Sequence, residues 1–361
     1  MKVLNNIKNN FEQLKPAMFV NKINKYKNYK NYYLAKGNES KVLKVEQKLE
    51  KIISEFKEHD QKALEFKNSE KSKLETVSEE NRSLDNQINL KIIDDFIEFS
   101  ENEDTHLKIS NLSMHFGGLK AVDNLNFDIK KNEIFGLIGP NGAGKTTAFN
   151  CITQFYKPTI GEIYFRDREN TIHSLSNYKA HNIIKLGLAR TFQNIELIWE
   201  LNILDNMLVG ANSLFSSGFF TQLFALPKLR FETKLLKAKA IQILTELGIE
   251  EYMYQYPVGL PYGVLKKIEL ARTLMTNPSL IILDEPAAGL NDTETVELAE
   301  FIKNIRDKYD LTIFLVEHDM GLVMDVCDRI CAISFGKKLA IGTPKEIQEN
   351  PLIREAYLGE E

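Results

Sequence analysis

Cysteine is scarce in this chain, and the little there is forms no useful pattern. Cys151, Cys327 and Cys331 make neither a disulfide framework nor a CxxC pair, and no histidine pair accompanies them at zinc spacing. They read as buried thiols of a reducing compartment. Long apolar runs are missing too. No stretch reaches the roughly 18–20 residues that a membrane-spanning helix needs, and "SLFSSGFFTQLFAL" (Ser213 to Leu226) is short and broken by Ser, Gly and Gln. The N-terminus carries lysines without the apolar core of a signal peptide. A cytoplasmic location is expected, with any membrane role exercised through a partner. Nor is there an excess of one charge: a net −4 gives no reason to expect nucleic acid or an acidic substrate.

With 361 residues the chain has room for more than one domain, and two textures are visible. Residues 1–103 are rich in Lys, Asn and Glu and contain a single proline, Pro16. Their first 36 residues set eight lysines against one acid, Glu12. Val42, Val45, Leu49, Ile52 and Phe56 recur at steps of three and four, which predicts a helix of about four turns. The pattern fades beyond Phe56, where Asp60, Lys67 and Glu70 take the seam positions. The segment reads as a solvated helical or partly disordered extension. A short coiled coil, or a basic arm for acidic lipid, is the alternative.

From Thr105 short strands such as "LKISNLSMHF" and "EIFGLIG" alternate with helical patterns, and "IILDE" has the make-up of a fully buried strand. This alternation predicts an α/β fold over 104–361 with a mostly parallel sheet covered by helices. "FGLIGPNGAGKTT" then fits G-x-x-x-x-G-K-[ST] at Gly139, Gly144, Lys145 and Thr146, after a strand and before a helix. Such a loop, here Gly139, Pro140, Asn141, Gly142, Ala143 and Gly144, turns backbone N–H groups inward to cradle phosphates, and the following helix adds positive potential through Thr146 and Thr147. Lys145 would reach the β- and γ-phosphates and the Thr146 hydroxyl would ligate Mg²⁺. "LIILDEP" ends a buried strand in Asp284, suited to hold Mg²⁺, and Glu285, suited to polarise the attacking water.

Gln193 in "LARTFQN" and His318 in "IFLVEHDM" are ordinary residues taken singly, but they gain meaning from their order along the chain. "GLPYGVLKKIELAR" (Gly259 to Arg272) reads as a turn and an amphipathic helix, with Leu265, Ile268, Leu270 and Ala271 apolar and Lys266, Lys267 and Glu269 mostly on the solvent side.

The order phosphate loop, Gln, "LPYGV", Asp-Glu, His resembles that of the nucleotide-binding subunits of ABC transporters. "ARTFQNIEL", "DEPAAGLN", "EHDMGLVM" and the tail "GTPKEIQENPLIREAYLG" are similar to the ATP-binding subunits of branched-chain amino acid importers. The likeness runs from about residue 105 to the end. It implies a P-loop NTPase of the ABC type, with an antiparallel β subdomain and a helical subdomain over about 195–278. Residues 1–103 remain an added helical extension.

By that resemblance ATP and Mg²⁺ are the cofactors, with Thr146, Asp284 and Gln193 at the metal and Glu285, Gln193 and His318 at the reaction. Phe116 matches the aromatic that stacks on adenine, although the residue alone could equally be a core strand aromatic. Leu260 and Gly263 belong to the signature that faces a partner's ATP, and Asn291 to the loop across which two subunits communicate. The usual Leu-Ser-Gly-Gly-Gln signature is here Leu260-Pro261-Tyr262-Gly263-Val264, so Pro261 removes a hydroxyl and an N–H.

The implied partners are two transmembrane permeases and a second related ATPase, or a second copy of this chain. An extracytoplasmic binding protein is linked indirectly, and no nucleic acid is expected. The implied place is the cytoplasmic face of the membrane, and the implied work is uptake of branched-chain or other hydrophobic amino acids. An ATPase of lipopolysaccharide export has a similar tail. A soluble ABC ATPase acting on DNA or ribosomes, and a kinase or GTPase with the same phosphate loop, are further alternatives.

Overall fold

The computed structural model describes residues 36, 40–51, 54, 91–92, 94–191, 193–211 and 227–358. The Ser213–Leu226 stretch, Ile52, Phe56 and the fading seam lie outside the described residues. Two sheets organise the rest. β1 (Thr105–Phe116), β2 (Leu119–Lys130), β4 (Ile160–Arg166) and β5 (Ile172–Ser174) make an antiparallel sheet in the order β2-β1-β4-β5. β3 (Ile134–Ile138), β6 (Leu188–Arg190), β7 (Leu280–Asp284), β8 (Thr312–Val316), β9 (Arg329–Ser334) and β10 (Lys337–Gly342) make the second, in the order β10-β9-β3-β8-β7-β6. Its neighbours run parallel except β9 and β10. This is the expected α/β arrangement.

Composition explains the parallel core. "IFGLI" and "TIFLV" are buried at every position, and "LIILD" at all but its last. A strand without a polar face must be covered on both sides, and helices supply the cover. Register then decides where chemistry can occur. Val316 at the end of β8 pairs with Leu137 of β3 on one side and Asp284 of β7 on the other. The loops leaving these three strands therefore emerge side by side at the carboxyl edge, where parallel sheets bind ligands.

Between residues 195 and 278 every regular element among the described residues is helical, including Ile203–Gly210, Pro227–Glu246 and Tyr262–Leu274. In the N-terminal region residues 40–51 are helical with Val42 and Val45 buried, as their spacing predicts. Helical residues 91–92 and 94–101 pack on the antiparallel sheet: Phe96 and Phe99 lie against Tyr164, at 5.1 and 6.1 Å between ring centroids. The buried Arg166 donates to the carbonyls of Phe99, Asn102 and Thr105.

His106 of β1 ties the two sheets together. Its Nδ1 lies 2.6 Å from the hydroxyl of Thr312 and its Nε2 3.2 Å from that of Ser279, and the ring stacks on Phe165. Burial, aided by the cations Lys131, Arg166 and Arg168 and opposed by Asp167, lowers its pKa from 6.5 to about 3. The unfolded chain thus takes up a proton that the folded chain refuses. Stability is complete above about pH 6.5 and falls as pH drops toward 3, by about 1.4 kcal/mol per unit. Urea unfolding at about pH 7.5 and about pH 5 should show the wild type losing ~2 kcal/mol more than His106→Gln. Equal losses would remove His106 from the account.

Candidate functional site

The phosphate loop is built by glycine where nothing else fits. A Cβ on Gly139 would stand 2.4 Å from the Ile333 carbonyl oxygen, and one on Gly144, at φ +100°, 2.4 Å from that of Ala121. The loop can therefore lie tight against β2 and β9 before the helix Lys145–Ile152 begins. Lys145 is buried, and its Nζ donates to the carbonyls of Gly139 and Pro140 at 2.6 and 3.2 Å. Burial lowers its pKa, against the opposing pull of Glu285, Glu317 and Asp284. Above the loop opens a cavity of about 600 Å³, lined by Asn141, Gly142, Ala143, Gly144, Lys145, Thr146 and Thr147, by Glu285, and by Phe116, Leu119, Lys120, Ala121 and Phe335. Gly139 and Pro140 shape the loop without lining the cavity. Phe116 is 44% exposed at its rim, which removes the core reading of that residue.

The acids arrive from β7. Asp284 is half-buried, and its pKa rises from 3.8 to about 6, chiefly through burial. Arg190 opposes that rise, while Glu285 and Glu317 add to it. Glu285 sits in the left-handed region at φ +46°, its N–H donating to the Val316 carbonyl at 2.8 Å. A non-glycine residue held there is strained backbone of the kind found at reactive sites. The Gln193 side-chain nitrogen donates to Glu285 Oε2 at 2.7 Å, and His318 Nδ1 lies 3.7 Å from Glu285 Oε1. Gln193, Glu285 and His318, some 125 residues apart from first to last, thus form one cluster. Thr146, Asp284 and Gln193 offer hydroxyl, carboxylate and amide oxygens, the hard donors that suit Mg²⁺.

Glu317 was not a sequence candidate, yet it underlies the cluster. Completely buried, it accepts from the N–H of Ala287 at 3.0 Å with one oxygen and from those of His318 and Asp319 at 2.7 and 3.1 Å with the other. One carboxylate thereby fastens the loop after Glu285 to the loop carrying His318. The available signal was a charged residue extending the apolar run "TIFLV".

The signature segment sits elsewhere. Leu260, Gly263 and Asn291 do not line the cavity. Pro261 is the N-cap of the helix Tyr262–Leu274, and its carbonyl accepts from Leu265 N–H. A residue in that position needs no N–H for the helix, so proline is tolerated. Gly263 lies against Glu294, and the Tyr262 ring against Gly289. Asn291 caps the helix Asp292–Tyr309 in a reciprocal capping box with Glu294.

One expectation fails here: Lys266 and Glu269 are buried, at 3% and 2% exposure, instead of facing solvent. Lys266 Nζ donates to the Gln193 carbonyl at 2.7 Å, Glu269 accepts from Glu196 N–H at 3.4 Å, and Arg272 donates to the Glu196 carbonyl. The loop beyond Gln193 lies over this side of the helix, turning a polar stripe into a buried clasp. Helical periodicity alone does not reveal such a cover.

Comparison with known proteins agrees with this fold. Residues 122–288 match the family model described as ABC transporter, and residues 337–361 the one described as branched-chain amino acid ATP-binding cassette transporter. The high-affinity branched-chain amino acid transport ATP-binding protein LivG of Escherichia coli strain K12 is 43% identical over 254 residues, covering 70% of this chain and 98% of the relative. BraF of Pseudomonas aeruginosa, of the same description, is 41% identical with the same coverage. Among solved structures, a nucleotide-free ATP-binding cassette from an ABC transporter is similar at TM-score 0.60 and 29% identity, over 71% of this chain and 100% of that one. An ATP-binding cassette in its ADP conformation is similar at TM-score 0.60 and 28% identity, over 71% and 99%.

Proposed function

The chain belongs to the ATP-binding subunits of branched-chain amino acid ABC transporters, and from that premise we propose that it hydrolyses ATP to energise uptake of branched-chain amino acids at the cytoplasmic face of a membrane. Among the described residues no helix is long and apolar enough to cross a bilayer, so the work passes through permease subunits. The observation that carries the reading is the register at Val316, which sets the loops bearing Lys145, Glu285 and His318 side by side.

The residues divide the labour as follows. The phosphate loop and Lys145 hold the triphosphate, and Phe116 stacks on the base. Glu285 orients the attacking water and takes up its proton, Gln193 fixes that carboxylate, and His318 contacts the γ-phosphate. Thr146, Asp284 and Gln193 would hold Mg²⁺, which supplies positive charge at the phosphate oxygens. Leu260, Gly263 and Asn291, like Gln193, Asp284 and His318, do not line the cavity; in a head-to-tail pair the signature helix of one subunit would meet the nucleotide of the other. The partner is a second related ATPase or a second copy of this chain, since one chain supplies one motif set; the altered signature favours the first. Binding that favours the closed pair over the open one drives the permeases.

Reconstitution with the permeases, second ATPase and binding protein tests this. ATP should drive leucine, isoleucine or valine into vesicles. Hydrolysis without movement of any of the three would end the import reading, and full hydrolysis by this chain alone would end the two-ATPase reading.

A further inference from the structure

The turn between β9 and β10 places a phenylalanine where local chemistry disfavours one. Phe335 and Gly336 form a two-residue hairpin loop, with Ser334 pairing to Lys337, and both have positive φ, +47° and +77°. Two left-handed central residues define a type I′ turn, whose first position belongs to Asn, Asp or Gly. A bulky side chain at positive φ is a genuine outlier. Packing does not compensate, since Phe335 is 89% exposed.

The position of the turn is fixed by the phosphate loop. Gly336 N–H donates to the carbonyl of Ala143 at 2.9 Å, and the Gly336 carbonyl accepts from Asp123 N–H at 2.9 Å. Phe335 lines the same cavity as the loop, together with Phe116 and Leu119, which are 44% and 66% exposed. The loop residues 141–147 form the anion-binding part of this cavity, and these three side chains give it an exposed apolar rim.

We propose that Phe335 is a nucleoside-binding residue, its ring forming a second apolar wall against the base and ribose of the nucleotide whose phosphates the loop holds. This rests on reading the cavity as a nucleotide site and adds to it a contact from the opposite hairpin. An aromatic face accepts any base, so the ring supplies affinity rather than selection. The strain of the turn is then tolerated because the ring gains a partner on binding.

The full-length chain with Phe335→Asn tests this, because asparagine is the residue the turn favours and the fold should hold or gain stability. Calorimetry with ATP should show affinity about 5- to 10-fold weaker, the loss of one stacking contact. Affinity for inorganic tripolyphosphate, which has no base, should be unchanged, and Phe335→Trp should bind ATP like the wild type. ATP affinity within twofold of wild type in Phe335→Asn would overturn the proposal. So would a parallel loss for tripolyphosphate, since that marks a disturbed phosphate loop. A wild-type chain that binds neither probe would overturn the nucleotide site itself, and this contact with it.

Discussion

Glu285→Gln should bind ATP as the wild type does and hydrolyse it about 10²–10⁴-fold more slowly, the range for removing a general base. The substitution is nearly isosteric, so the strained backbone at φ +46° and its bond to the Val316 carbonyl can persist. A glutamine carbonyl oxygen can still accept from Gln193, which lies 2.7 Å away in the wild type. What disappears is the ability to take a proton from water. In the terms of transition-state theory the loss is about 3–5 kcal/mol of activation free energy, with little change in ground-state binding. On the proposed closure mechanism the variant should therefore accumulate as a closed, ATP-loaded pair. Phosphate release and size-exclusion chromatography with ATP check both halves. Retention of more than about a tenth of the wild-type rate would put the base elsewhere.

Glu317→Ala should be the most damaging single change to the site's architecture. Three backbone N–H groups, those of Ala287, His318 and Asp319, lose an acceptor whose own side chain is completely buried. Buried donors left unpaired cost about 1–3 kcal/mol each, and partial relaxation brings the sum to roughly 3–5 kcal/mol. In a domain of this size the melting temperature should fall by roughly 6–20 °C. Hydrolysis should fall too, because the loops carrying Glu285 and His318 are no longer fastened to each other. Glu317→Gln keeps one acceptor oxygen and should lose distinctly less in both measurements. A melting temperature within about 2 °C of wild type for the alanine variant would show that the carboxylate is not a structural tie.

The phosphate loop and the acidic pair were legible because each lies in a contiguous motif, whereas Gln193 and His318 gained meaning only from their order along the chain. Gly139 to Thr147 and Leu280 to Pro286 announce both their residues and the strands that carry them. The parallel core was legible for a related reason, since strands such as "IFGLI" have no polar face to leave outside. What remained hidden depends on contacts between segments far apart in the chain. Lys266 looked solvated because the loop that covers it lies 73 residues earlier. Glu317 carries no local signature of its role, because that role lies in backbone groups on two loops. Residues 91–101 followed the same pattern. Ile92, Phe96 and Phe99 stand at helical spacing, but the Tyr164 and Arg166 that receive the segment lie in β4, far along the chain.

The clasp on the loop beyond Gln193 has a consequence for divergence. The hydrogen bonds that Lys266, Glu269 and Arg272 make to this loop go to main-chain atoms, the Gln193 carbonyl and the N–H and carbonyl of Glu196. Main-chain atoms are the same whatever the residue, and the side chains of Asn194 and Glu196 are exposed. These hydrogen bonds would survive a change of outward side chain, although the Glu196 carboxylate also acts through its charge on Glu269 and Arg272. Three residues of one helix carry the constraint, and the outward side chains of the loop can change without retuning the distance between Gln193 and Glu285.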